Sequence, residues 1–242
     1  MNTNTAATSA KPRPSTYTLR IKFGKLGSLG YISHLDLMRT MTKLLVRARL
    51  PLAYSEGFNP IPRLTFSPPL SLGITSSCEL VDVRLTGVSS DADIDAFSRA
   101  VTDGLPSDVL PVYNMYLPSS DLSGIAYASY DVTFVSPAAN AEVAENMKRI
   151  LADPAINIMK KTKSGIKEVN IAPLIHSSNV SLEDGCIRLS CLLGAGSDSF
   201  LNPMLLAKHL SEQVGLASGE PISEYYTIHK NAMYAKDMQL FE

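Results

Sequence analysis

Apolar and polar residues alternate along Tyr17 to Phe23, with Tyr17, Leu19, Ile21 and Phe23 on one side and Thr18, Arg20 and Lys22 on the other. A period of two is that of a strand with one face buried. The glycines Gly24, Gly27 and Gly30 interrupt it. Beyond Ser33 the period lengthens, and Leu37, Met41, Leu44, Leu45 and Ala48 recur at steps of three and four. That spacing predicts an amphipathic helix. Ser33 is placed to cap it, with Asp36 three residues on, and Pro51 biases Leu50 away from helical geometry, so the helix is expected to end near Arg49.

The same two periods recur down the chain. CELVDVRLTG (78–87) reads as a strand, residues 92–106 as a helix with Ile94, Phe97 and Val101 inward, and Val109 to Leu117 as a closing strand. With a short strand around Arg63 to Phe66, the first half has the order β-α-β-β-α-β of a ferredoxin-like unit. A turn-rich linker spans 119–125. The second half repeats the scheme, with strands at 126–135, 156–162, 186–194 and 222–235 and helices at 140–153 and from Asn202-Pro203 to Gly215. The expected architecture is α+β, two tandem ferredoxin-like domains at 16–118 and 126–242. Residues 1–15 are small, polar and proline-bearing, and read as a disordered leader.

Composition mainly removes options. Hydrophobic residues at 45% and charged ones at 19% describe a chain able to bury a core. No apolar run approaches the roughly 18 residues of a membrane span, and the N-terminus lacks a signal-peptide core, so a cytoplasmic location without membrane association is expected. Cys78, Cys186 and Cys191 form neither a disulfide framework nor a metal-binding spacing, and read as buried apolar residues. GxxGxxG at Gly24, Gly27 and Gly30 is not the dinucleotide fingerprint, and HExxH and GxSxG do not occur. No cofactor or metal is expected.

Charge sharpens the picture locally. From Tyr17 to Arg63 eight Lys and Arg face two acids, a net +6 on a chain whose total is −1. Arg39, Lys43 and Arg47 fall every four residues, as either a solvated helix face or an anion-facing ridge. The loop 51–73 holds Pro51, Pro60, Pro62, Pro68 and Pro69 beside Tyr54, Phe58 and Phe66. Tyr54, Phe58 and Arg63 are suited to stack on or clamp unpaired bases, and equally to pin the loop to its own core. Lys160, Lys161, Lys163 and Lys167 surround a hairpin tip at Ser164-Gly165, for phosphate contact or for solubility. His34, in the first helical turn, is the one candidate general acid or base, or else a hydrogen-bonding partner in the cap.

The helix start Ser33-His34-Leu35-Asp36 with Arg39, the loop Tyr54-Ser55-Glu56-Gly57-Phe58-Asn59-Pro60 and the exit at Gly73 resemble the radical SAM-linked domain family, a group of unknown function. KEVNIAPLI and Asn202-Pro203 extend the resemblance toward residue 240. Asn170 stands where that family often has aspartate, and Ile61 where it commonly has histidine. The resemblance implies an accessory to a radical SAM protein on another chain, since this one has no CxxxCxxC. Three functions are then expected to compete. The first is RNA binding (ribosomal or transfer RNA) through Arg39, Lys43, Arg47, Tyr54, Glu56, Phe58, Asn59, Arg63, Lys160, Lys161 and Lys163. The others are a metal-independent ribonuclease using His34, and a protein-docking module for the radical SAM enzyme.

Overall fold

In strand β1 (Thr16–Lys25), Leu19, Ile21 and Phe23 are wholly buried, as the alternation requires. The computed structural model describes residues 15–87, 90–103, 105, 108–162, 165–216 and 226–242. The leader up to residue 14, Lys163, and the side chains of Lys160 and Lys161 therefore lie outside the described residues.

Helix α1 (His34–Arg47) starts where the Asp36 amide donates to Ser33 Oγ at 3.1 Å. It stops two residues before Arg49, whose φ of 58° is left-handed. Its inner residues Leu37, Met41, Leu44 and Leu45 pack on Leu19, Ile21, Val81 and Val83 in one apolar cluster. The sheet partners of β1 are β3 (Ile74–Thr86) and β4 (Val112–Tyr116), and the short β2 (Leu64–Phe66) pairs with β3. Helix α2 (Asp91–Thr102), capped by Ser90, adds Val101 to that core.

The second half runs β5 (Tyr127–Phe134), α3 (Ala141–Leu151), the hairpin β6 (Asn157–Thr162) and β7 (Gly165–Asn170), β8 (Ile175–Glu183), β9 (Cys186–Gly194), α4 (Pro203–Gln213) and β10 (Tyr226–Tyr234). The hairpin is a separate two-stranded sheet; the other eight strands form one sheet in the order β4-β1-β3-β10-β5-β9-β8, with β2 beside β3. The halves join where β10 runs parallel to β3, from Ile228↔Ile74 to Lys230↔Ser76, and the remaining pairs are antiparallel. Among the described residues the fold is thus mixed α+β, with four α-helices and a mostly antiparallel sheet. Strand β8 was not expected from the sequence, because only Val180 of IHSSNVSLE is buried and an edge strand of this kind shows no apolar alternation.

Register shows that the buried face is continuous. Lys25 faces Ser76, Ser76 faces Lys230, and Lys230 is in step with Ile228 in the second apolar cluster. The four α-helices of the described residues therefore cover one side of the sheet. On the other side the segment 235–242 folds back along β10, with Phe241 N donating to Met233 O at 2.8 Å. The Phe241 ring lies 5.4 Å from the guanidinium carbon of Arg20, which is completely buried. Arg20 holds Asp82 through two hydrogen bonds of 2.7 and 2.9 Å and donates to the carbonyls of Ser120 and Glu242. The turn-rich stretch 119–125 is anchored there, and its Leu122 and Ile125 are buried.

Candidate functional site

The loop after α1 is a finger. Ala53 N donates to Arg84 O at 2.8 Å, and from there the chain closes on itself: Arg63 N donates to Ala53 O, Tyr54 bridges Pro62, and Ser55 N donates to Ile61 O. Ile61 N completes the arm by donating to Ser55 Oγ at 3.0 Å. Gly57, at φ 134°, takes a turn that a Cβ would strain, and Pro60 and Pro62 stiffen the returning limb. Every residue from Glu56 to Ile61 is exposed, and Phe58 at the tip is fully so. Leaving such a ring in water forgoes about 1.5–3 kcal/mol of burial free energy. An ordered arm that holds it there presents an anchor.

At the base of the finger the antiparallel register of Leu64 with Val83 sets Arg63 opposite Arg84, whose amide donates to Arg63 O at 3.0 Å. Both arginines are exposed. Like charges directly opposite each other on a sheet destabilise it, and an anion between them reverses the sign.

The other predicted residues lie elsewhere. Arg39 pairs with Asp36 at 3.1 Å, both well exposed, a contact worth little in itself. Lys43 and Arg47 line a groove of about 280 Å³ with Leu29, Thr40, Leu105 and Val109, toward the β4 edge, while the finger springs from the β2 edge. His34 sets its ring edge-on against Phe66, 5.4 Å between centroids. Tyr54, Glu56, Phe58, Asn59 and Arg63 are together on the finger; the helical cations and the β6–β7 hairpin are separate from it.

Two features escaped the sequence reading. Between the halves lies an open groove of about 600 Å³ walled by Phe66, Pro68, Pro69, Leu122, Ile125 and Phe200. Pro68 and Pro69 also border a much smaller cavity reaching Lys230, which is buried and 2.6 Å from buried Glu79. Ser67 Oγ donates to the other carboxylate oxygen at 3.4 Å. Lys25 is buried nearby, its ammonium 3.3 Å from the carbonyls of Gly30 and of Ile32; burial lowers its pKa, Glu79 opposes that shift and Lys230 adds to it. The available signal was parity: Lys25 is in step with Ile21 and Phe23, and Lys230 with Tyr226 and Ile228.

The second feature is on the open face. His229 lies between two hydroxyls of β3, with Nδ1 2.8 Å from Thr75 Oγ1 and Nε2 2.8 Å from Ser77 Oγ. Thr75 gives its own proton to Ile228 O, so it accepts from Nδ1–H, which leaves Nε2 to accept from Ser77. Burial lowers the His229 pKa, opposed by the charge of Asp131, its cross-strand neighbour. Asp131 accepts from Ser190 and Asn231 at 2.7 and 2.8 Å. Cys78 and Cys191 are buried as expected, whereas Cys186 is half-buried.

Among the described residues, an eight-stranded, mostly antiparallel sheet with the α-helices on one side and an exposed aromatic finger at an edge defines a mixed α+β protein. The chain belongs to the family described as "Uncharacterized protein conserved in bacteria (DUF2344)", which matches residues 18–203. That description names no radical SAM enzyme. No curated protein matches the sequence. A chain from a crystal structure of a Cbf5-Nop10-Gar1 complex is similar at 8% identity and a TM-score of 0.45, covering 89% of this chain and 48% of that one. This chain thus spans about half the length of that one, and a likeness so loose carries no argument. Among the described residues no helix is long and apolar enough to cross a membrane.

Proposed function

We propose that this protein is a cytoplasmic RNA-binding accessory whose finger, Ala53–Arg63, stacks Phe58 on unpaired bases while Arg63 and Arg84 hold phosphate. The observation that carries the reading is Phe58 itself, fully exposed at the tip of a hydrogen-bonded, proline-stiffened arm above two opposed arginines. A bare aromatic beside paired cations is the combination that single-stranded RNA recognition uses. In the same reading each half is a ferredoxin-like unit, 16–118 and 126–242. The strand orders β4-β1-β3-β2 and β10-β5-β9-β8 support it. The motif resemblance supports a radical SAM protein on a separate chain as the enzyme served.

Filter binding of single-stranded RNA across salt concentrations tests this. Affinity should fall with salt, and Arg63→Ala with Arg84→Ala should reduce the log–log slope by about 1–2. Binding that ignores both salt and Phe58→Ala ends the RNA reading. Co-purification of a protein partner that survives nuclease and fails on Phe58→Ala would assign the finger to protein docking instead.

A further inference from the structure

We propose that Ser77 is a nucleophile, activated by His229, that accepts the acyl group of a small uncharged ester entering the cleft beside it. This goes beyond the binding reading and uses none of the finger. Ser77 lines an open cleft of about 470 Å³ with Lys22, Tyr113, Asn114, Tyr116 and Glu242. His229 is not in that lining; it stands to the side, 2.8 Å from the serine oxygen, in the place of a general base. Thr75 holds Nδ1–H, which fixes the tautomer, and Asp131 supplies a negative charge across the strand pair for the imidazolium that forms.

The cleft also contains a proton donor, the Lys22 ammonium. Lys22 Nζ is 3.0 Å from Glu242 Oε1, so the two charges cancel and the cleft suits a neutral substrate.

The chemistry balances with these groups and water. Ser77 Oγ bonds to the ester carbonyl carbon as its proton passes to His229 Nε2. The carbonyl electron pair moves to oxygen, where Lys22 donates. When the carbonyl reforms, the C–O bond to the alcohol breaks and the alcohol takes the proton from Nε2. Water then repeats the sequence on the acyl-serine, releasing the acid and restoring Ser77.

The test is to treat the full chain with a fluorophosphonate, which phosphonylates an activated serine and releases fluoride, and separately with p-nitrophenyl acetate, following intact mass and peptide maps. One adduct per chain is expected, on Ser77, absent in Ser77→Ala. Labelling should slow about 100-fold in His229→Gln. Its rate in the unaltered protein should rise with pH through one midpoint below the ordinary histidine value of 6.5. No adduct, an adduct that persists in Ser77→Ala, or a rate in folded His229→Gln within about twofold of the parent overturns the proposal. If His229→Gln does not fold, a rate in the unaltered protein that is flat across that pH range overturns it. RNA affinity unchanged in Ser77→Ala keeps this outcome separate from the finger's.

Discussion

Lys230 Nζ and Glu79 Oε1 meet 2.6 Å apart inside the protein, one from β10 and one from β3, where the two halves of the sheet join. Both side chains are almost fully buried, so each charge depends on the other for the solvation it has lost. Lys25 brings a second buried cation toward the same carboxylate, and Ser67 donates to it. Glu79 therefore serves two ammonium groups, and the junction is electrostatically specified as well as packed.

Removing one partner should cost far more than removing both. Lys230→Met or Glu79→Gln alone should destabilise by about 3–5 kcal/mol, whereas Lys230→Met with Glu79→Leu should lie closer to the parent. Urea denaturation of the three variants measures this. Glu79→Gln should be the worse of the singles, because it leaves Lys25 and Lys230 facing each other.

Arg20 predicts a linked loss at two places. It binds Asp82, the carbonyls of Ser120 and Glu242, and the Phe241 ring, so Arg20→Ala frees the 119–125 stretch and the tail together. About 3 kcal/mol of stability should go, and Asp82, left without its cation, accounts for part of it. Limited proteolysis should then cut within 235–242 faster than in the parent, while cleavage at the finger is unchanged.

What the sequence revealed is what local period and caps encode. Ser33, the face Leu37, Met41, Leu44 and Leu45, and the strands β1, β5 and β9 are visible because each is a repeat or a cap within a few residues. Arg20 was misleading, since the polar side of β1 reads as solvent-facing until the tail and Asp82 cover it. The finger's composition was legible but its separation from Lys43 and Arg47 was not, because that depends on which edge of the sheet each meets. Ser77 and His229 were invisible for the same reason: a contact across 152 residues arises only when β10 docks on β3.

The finger tip should be a place where binding and stability come apart. Phe58→Ala should leave the thermal midpoint almost unchanged, within about 0.5 kcal/mol, because the ring touches little of the fold. Gly57→Ala imposes a Cβ at φ 134° and should reshape the tip, at a cost of about 1–3 kcal/mol if the arm holds its form and less if it relaxes. Both should weaken the finger's ligand several-fold. Retained affinity in both would place the contact elsewhere on the chain.

His229 gives stability a dependence on pH whose sign follows from its surroundings. Burial penalises its charged form, so its folded pKa lies below the 6.5 expected when unfolded, with Asp131 limiting the drop. Between those values the unfolded chain binds more protons, so its contribution is complete above the unfolded value and is lost as pH falls through the folded one. His209, also lowered by burial with Glu212 opposing, acts in the same direction. Urea midpoints should therefore fall as the buffer goes from about pH 7.5 to about pH 5, and the fall should be shallower in His229→Gln and shallower again with His209→Gln added. The His229 ring should titrate below 6.5 by NMR, and Thr75→Val should shift that midpoint because Nδ1–H loses its acceptor. A His229 midpoint at or above 6.5 would mean that Asp131 outweighs burial.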